Sequence, residues 1–93
     1  MYAIVCFDRP GSASLRDANR AAHVAFLEKH AKTIVFGGPL KNSAAGASTG
    51  AIIVVNCATR EDAEAFIKDD PFLRSGVYES VAVRAFKQVF PQK

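Results

Sequence analysis

The segment that most restricts the fold is the run of five apolar residues in the sequence GAIIVVNC, which spans residues 50–57. Its β-branched side chains and the glycine before them predict a strand. Successive side chains of a strand point to opposite faces of the sheet, so both faces of this strand would be apolar. Ile52 and Val54 would lie on one face, and Ala51, Ile53 and Val55 on the other. Both faces of the sheet therefore need a covering layer.

Hydrophobic periodicity and turn residues predict the other elements. Strands are expected at residues 2–8, 33–38, 50–57 and 78–90, a long loop at 39–49, and helices from Ser14 to about Ala31 and from Thr59 to near Asp69. The first helix would begin with the sequence SLRD, which is similar to a capping box, and Thr59 would be the N-cap of the second. The order β-α-β-β-α-β predicts an α+β, ferredoxin-like fold, whose antiparallel sheet has strand order 4-1-3-2 and carries both helices on one face.

Two helices cover only one face of such a sheet, which leaves the other apolar face without a layer. The first strand repeats the pattern, because Ile4 and Cys6 alternate with Ala3 and Val5. A second copy of the chain, packed sheet to sheet, would cover the remaining face. The sequence therefore predicts a single domain, residues 1–93, that pairs as a dimeric α+β barrel in a homodimer or a higher even oligomer.

Composition and motifs argue against several classes of function. The formal net charge is only +3 and acids are interleaved with the basic residues, so no nucleic-acid partner is expected. No apolar run approaches the roughly 18 residues of a membrane span, and no basic residues precede the apolar N-terminal segment, which favours a cytoplasmic location. No nucleotide-binding glycine pattern or paired-cysteine zinc motif is present, so neither a cofactor nor a metal is expected. Cys6 and Cys57 would lie at opposite ends of the sheet, too far apart for a disulfide.

His23 is the main candidate for acid/base chemistry, because an imidazole can take and give a proton near neutral pH. The apolar stripe of the first helix is expected to consist of Leu15, Ala18, Ala22 and Phe26. His23 would then sit about 80° round from the middle of that stripe, at the boundary between core and solvent. The alternative is a surface histidine that bridges to a neighbouring side chain.

Two aspartates precede Pro71 in the sequence KDDPF. Because Pro71 disfavours helical geometry at the residue before it, Asp70 is expected to be extended and to cap the short turn that follows. A capping aspartate is held rigidly and can orient an imidazole at the same time, so the two roles of Asp70 remain open. Asp69 is expected to be a solvated residue at the end of the second helix.

Five short sequences, taken together and in this order, resemble the YciI-like (YCII) family of small bacterial proteins. They are RAAH (residues 20–23), GGPL (37–40), DPF (70–72), SGVYESV (75–81) and VRAFKQVF (83–90). The resemblance implies a ferredoxin-like dimeric α+β barrel, related in fold to the muconolactone isomerases, with an active-site pair of His23 and Asp70. Most members have no assigned activity, although the attested chemistry includes cofactor-free elimination of chloride from chlorinated hydroquinone-type ring metabolites.

The function that the resemblance implies is a cofactor-independent lyase of dehydrochlorinase type, or an isomerase, that acts on a hydroquinone or muconate-type ring. His23 would move the proton, while Asp70 would fix its tautomer and stabilise the imidazolium. The residues expected to hold the small-molecule substrate are Arg20, Gly38, Pro39, Leu40 and Phe72. The alternative is a non-catalytic dimeric module that binds a small metabolite, in which the His-Asp pair only braces the helix against the loop.

Overall fold

The computed structural model describes residues 1–91, so residues 92 and 93 of the predicted domain lie outside the described part. The elements are β1 (Tyr2–Asp8), α1 (Ala13–Lys29), β2 (Ile34–Lys41), β3 (Ser48–Val55), α2 (Arg60–Lys68), α3 (Pro71–Arg74) and β4 (Tyr78–Ala85). The four strands form one antiparallel sheet in the order β2-β3-β1-β4. This order is the predicted one, and the α+β, ferredoxin-like architecture is confirmed.

The hairpin between β2 and β3 is tighter than the sequence indicates. The sequence favours a loop over residues 39–49, but β2 continues to Lys41 and β3 begins at Ser48. Leu40 pairs with Gly50 across the hairpin, and Lys41 pairs with Ser48. β2 ends in Pro39, Leu40 and Lys41, and β3 begins with Ser48 and Thr49, so neither end shows the apolar alternation by which a strand is recognised. The last strand is shorter than predicted, because β4 ends at Ala85.

The first helix begins earlier than predicted and without the capping box. Its first residue is Ala13, and the side chain of its N-cap, Ser12, makes no capping hydrogen bond. The backbone N–H of Arg16 donates to the carbonyl oxygen of Ser12 at 2.8 Å, so the helical hydrogen bonds start at that residue. Ser14 lies inside the first turn, and its predicted role as the cap is wrong.

The first helix also turns a different face toward the sheet. The residues of α1 that are buried or half-buried are Arg16, Asn19, His23, Phe26 and Leu27. The predicted stripe is wrong apart from Phe26, because Leu15 is 37% exposed and Ala18 and Ala22 are also exposed. The Arg16 side chain forms an ion pair with Asp8 of β1, which accounts for a charged residue on the inner face. His23 therefore lies on the inner face of the helix rather than at its edge.

The second helix follows the sequence prediction closely. The side chain of its N-cap, Thr59, accepts a backbone hydrogen bond from the first turn at 3.1 Å. The buried face consists of Ala63, Phe66 and Ile67, which join the core above β1 and β4. Within residues 1–91, none of the helices has the length and apolarity that crossing a bilayer requires.

The face of the sheet away from the helices is apolar and open in the single chain. Phe7 and Phe36 on this face are 50% and 51% exposed. Strand pairing places Val5 opposite Ile52, and Phe36 opposite Val54, so the apolar surface continues across three strands. Both faces of the sheet are apolar, as the alternation within residues 51–55 predicts.

Candidate functional site

His23 and Asp70 meet between α1 and the start of α3. The Nδ1 atom of His23 lies 2.8 Å from Oδ1 of Asp70, although 47 positions separate the two residues in the sequence. The side chain of His23 is 14% exposed, whereas that of Asp70 is fully buried. The hydrogen bond therefore joins a buried carboxylate to an imidazole that still reaches the surface of a cavity.

Asp70 is held in place by the short helix that it caps. Its backbone is extended, with φ −67° and ψ 123°, and Pro71 occupies the first position of α3. Its Oδ1 atom accepts a hydrogen bond of 2.9 Å from the backbone N–H of Phe72. The same oxygen thus caps α3 and contacts His23, so the two roles of Asp70 that the sequence left open coexist in one atom.

The hydrogen bonds around Asp70 favour one tautomer of His23. Because Oδ1 already accepts the N–H of Phe72, the imidazole is expected to donate through a proton on Nδ1. The lone pair of the neutral ring then lies on Nε2. The second carboxylate oxygen, Oδ2, is buried and makes no hydrogen bond within residues 1–91. Asp70 can consequently stabilise a positive charge on His23 as well as orient it.

The ring of Phe72 fixes the imidazole from one side. The two ring centroids are 3.9 Å apart and the planes differ by 8°, which is a stacked arrangement. Phe72 is itself 1% exposed and meets the ring of Tyr78 edge to face at 5.8 Å. His23 therefore has little freedom to rotate about its side-chain bonds, as a preorganised catalytic group requires.

A cavity of about 490 Å³ adjoins His23, between α1, the edge of the sheet formed by β2 and β3, and the rings of Phe72 and Tyr78. This volume is within the range of about 300–1,000 Å³ that is usual for small-molecule sites. Its apolar walls include Leu27, Ile34, Ala51 and Ile53. An apolar cavity with a hydrogen-bonded imidazole in its wall suits a small organic ligand.

The structure brings most of the predicted substrate-binding residues to this cavity. Gly38, Pro39 and Phe72 line it. Leu40 does not, because strand alternation places it on the face opposite to Pro39. Arg20 lies at the mouth of the cavity, where its side chain is 58% exposed and pairs with Asp17.

Arg16 is a cavity residue that sequence reasoning missed. It is only 8% exposed, and its Nε and Nη2 atoms donate to the two carboxylate oxygens of Asp8 at 3.0 and 3.2 Å. Nη2 also donates to the carbonyl oxygen of Gly50 at 3.2 Å. An arginine in a helix ordinarily indicates a solvent-facing position, and no local pattern shows that Asp8 will lie beneath it.

Gly50 is required where β3 passes close to β1. A Cβ atom at this position would lie 2.0 Å from the carbonyl oxygen of Cys6. The carbonyl oxygen of Gly50 accepts a hydrogen bond from Nη2 of Arg16, so the same glycine allows β3 to pair closely with β1 and helps to hold Arg16.

Two other titratable groups near Asp70 are poorly suited to acid/base work. Burial, followed by the charges of Asp70 and Asp8, raises the pKa of the Cys6 thiol to about 12. Burial and the charge of Asp70 also raise the pKa of Tyr78. Both groups therefore keep their protons at neutral pH. Within residues 1–91, no three His, Cys, Asp or Glu side chains lie close enough together to hold a metal ion.

Comparison with known proteins identifies the family. The sequence model of the YCII-related domain matches residues 1–87, which is nearly the whole chain. The chain belongs to the YCII family. Protein YciI of Escherichia coli O6:H1 is 31% identical over an alignment of 97 positions, which covers 97% of this chain and 99% of that protein. An uncharacterized protein of Haemophilus influenzae is 28% identical and covers 96% of this chain and 98% of its own.

A solved structure of a YCII-family enzyme has the same fold. It is 5-chloro-2-hydroxyhydroquinone dehydrochlorinase (TftG) from Burkholderia phenoliruptrix, in complex with 2,5-dihydroxybenzoquinone. The match has a TM-score of 0.85, with 31% sequence identity and coverage of 92% of each chain. The YCII fold of this chain is therefore shared with an enzyme that acts on a chlorinated aromatic ring.

Proposed function

We propose that this YCII protein is a cofactor-independent lyase that eliminates hydrogen chloride from a chlorinated hydroquinone-type ring, with His23 as the acid/base and Asp70 as the residue that orients it. The observation that carries the proposal is the 2.8 Å hydrogen bond between His23 and Asp70 at the wall of the apolar cavity. The structural likeness to a dehydrochlorinase supports the same reaction class.

The chemistry needs one group that moves a proton between oxygen and carbon. Nε2 of His23 takes the proton of a ring hydroxyl, and the resulting imidazolium delivers it to the ring carbon that bears chlorine, which gives a keto tautomer. Loss of a second hydroxyl proton then expels chloride and forms the second carbonyl of a quinone. The ring loses one proton and one chloride in total, so no oxidant is needed.

Asp70 supports both halves of this transfer. In the first half it holds the proton on Nδ1, so that Nε2 presents its lone pair to the hydroxyl. In the second half it faces the imidazolium with a buried negative charge, which is worth more in an apolar surrounding than in water. The apolar walls of the cavity hold the ring and keep bulk water from protonating the intermediate.

We also propose that the chain assembles as a homodimer through the open face of its sheet. Phe7 and Phe36 would pack against the same face of a second copy, in the manner of a dimeric α+β barrel. A face of this size and apolarity is unusual on the surface of a monomer.

The test is a panel of halogenated hydroquinones, with enol-lactones and muconate derivatives to cover the isomerase chemistry, assayed for chloride release and ultraviolet change. His23→Ala is expected to reduce turnover by about a hundredfold or more. His30→Ala is the matched control, because His30 ends the same helix and packs on Phe26 and Phe66 away from the cavity. Full turnover by folded His23→Ala protein would show that His23 is not the acid/base.

The non-catalytic alternative gives a different result in the same assay. A metabolite-binding module would take up members of the panel without chloride release or any ring conversion. Binding that survives in His23→Ala, with no turnover by the wild type, would favour that reading over an enzyme.

A further inference from the structure

Arg16 is buried beside the cavity with part of its hydrogen-bonding capacity unused. Its Nε proton and both Nη2 protons are directed at Asp8 and at the carbonyl oxygen of Gly50. A guanidinium carries five N–H donors, so two remain on Nη1. Nη1 makes no hydrogen bond to any of residues 1–91, although the Arg16 side chain is about nine-tenths buried and lines the cavity.

The arrangement exploits the shape of arginine. One edge of the planar guanidinium, formed by Nε and Nη2, is anchored by the carboxylate of Asp8. The anchor restricts the movement of Nη1, so a ligand oxygen would bind there with little loss of side-chain entropy. A lysine has a single nitrogen, which would be taken up by the ion pair with Asp8, so it would have no second nitrogen for a ligand.

Arg16 and His23 both line the cavity. They are seven positions apart on α1, which puts them on one face of the helix two turns apart. The guanidinium carbon lies 4.7 Å from the centroid of the Phe72 ring, and the imidazole centroid lies 3.9 Å from the same point. Both groups therefore lie against the same aromatic ring in the cavity wall.

We propose that Nη1 of Arg16 is a binding site for an ionised oxygen of the ligand, so that the protein selects rings that carry a negatively charged oxygen. This inference rests on the proposed function for the identity of the ring. Within that function, Arg16 holds the oxygen on the side of the ring away from His23 and stabilises negative charge there as the second hydroxyl loses its proton. The ligand class is a hydroxyquinone anion or a phenolate.

The test compares the binding of two small rings by calorimetry. The anionic probe is 2,5-dihydroxybenzoquinone, whose vinylogous acid groups are ionised at neutral pH, and the neutral probe is hydroquinone. Arg16→Gln alone would leave Asp8 buried without its partner, so the informative variant is the double substitution D8N/R16Q, which removes both charges. Arg60→Gln, which removes an exposed arginine of α2 that does not line the cavity, is the matched control, and circular dichroism verifies the fold of each variant.

The expected result is that the wild type and Arg60→Gln bind the anion more tightly than hydroquinone. D8N/R16Q should lose about tenfold or more in affinity for the anion and little for hydroquinone, because only the anion uses a charge-assisted hydrogen bond. Equal losses for both probes, an unchanged affinity for the anion, or no preference for the anion in the wild type would overturn the inference.

The two proposals fail separately. If Arg16 controls the affinity for the anion but no member of the substrate panel releases chloride, the anion site is supported and the proposed dehydrochlorinase activity is contradicted. If chloride release depends on His23 while the folded double variant keeps its preference for the anion, the enzyme assignment stands and Arg16 is only a structural partner of Asp8.

Discussion

The imidazole of His23 lies flat on the ring of Phe72, with centroids 3.9 Å apart, and both residues are tied to Asp70. Oδ1 of Asp70 accepts one hydrogen bond from His23 and another from the backbone N–H of Phe72. A single carboxylate oxygen therefore sets the position of the imidazole and of the ring on which it rests. A change at Asp70 would disturb both His23 and Phe72, so the two contacts are separated by substituting Asp70 and Phe72 one at a time.

Asp70→Asn separates the charge of Asp70 from its capping role. An asparagine oxygen still accepts the N–H of Phe72, so the cap and the stability are expected to change little. Turnover should fall by about a hundredfold or more, because the amide neither holds the Nδ1 proton as firmly nor stabilises the imidazolium. Steady-state kinetics measure the loss, and an NMR titration of His23 in the two proteins measures its cause. If turnover and the His23 titration were both indifferent to the substitution, the pair would be structural.

Phe72→Met tests the stacking contact. A methionine of similar volume keeps the site apolar and should cost under about 1.5 kcal/mol of unfolding free energy. It removes the flat surface beneath His23, so kcat is expected to fall more than the stability change alone explains. Urea unfolding and kinetics on the same preparations give the comparison. An unaltered kcat in this variant would mean that Asp70 alone positions the imidazole.

Gly50→Ala tests the close approach of β3 to β1. The new Cβ would lie 2.0 Å from the carbonyl oxygen of Cys6, and no flexible side chain can move to relieve that contact. The strands must shift, so a loss of roughly 3 kcal/mol in unfolding free energy is expected, a size typical of backbone strain. Gly38→Ala is the control, because a Cβ there meets nothing within 4 Å. Similar stabilities for the two variants would show that the strands separate easily.

The sequence predicts the fold of this chain better than it predicts the surroundings of the site. Strand order, the Thr59 cap and the two-faced sheet follow from local patterns that the structure keeps. The face of α1 does not, because Arg16 turns inward to form an ion pair with Asp8, which belongs to a different element, β1. The Asp70 cap is a local feature that the sequence around Pro71 predicts. The contact of Asp70 with His23 spans 47 residues, and only the family resemblance predicts it. No local sequence pattern indicates that Arg16 would be buried beside the cavity.

The stability of the protein is expected to fall in alkali through Cys6. Its pKa is raised from 9.0 to about 12 in the folded chain, so the unfolded chain ionises first as the pH rises above about 9. The folded state then holds more protons than the unfolded state, and the stability that is complete below pH 9 is lost progressively toward pH 12. Tyr78 contributes in the same direction.

Cys6→Ala should remove the contribution of the Cys6 thiol to the loss of stability at alkaline pH. The unfolding free energy of the variant is expected to decline less steeply above about pH 9, by on the order of 1 kcal/mol per pH unit. Urea unfolding at about pH 8 and about pH 11 measures the difference. Cys57→Ala is the control, since Cys57 is only half-buried and its thiol should matter less. Parallel declines in wild type and Cys6→Ala would contradict the linkage.

Phe36→Glu tests the proposed dimer. Phe36 lies on the open face of the sheet and is 51% exposed in the single chain, so a carboxylate there would be buried without a partner in a sheet-to-sheet dimer. Wild type should sediment as a dimer at micromolar concentration, and the variant should shift toward the monomer. Phe90→Glu is the matched control, because Phe90 is 81% exposed but follows β4 and lies outside the sheet. A wild type that sediments as a monomer would mean that the apolar face stays open, and a Phe36→Glu protein that remains dimeric would place the interface elsewhere.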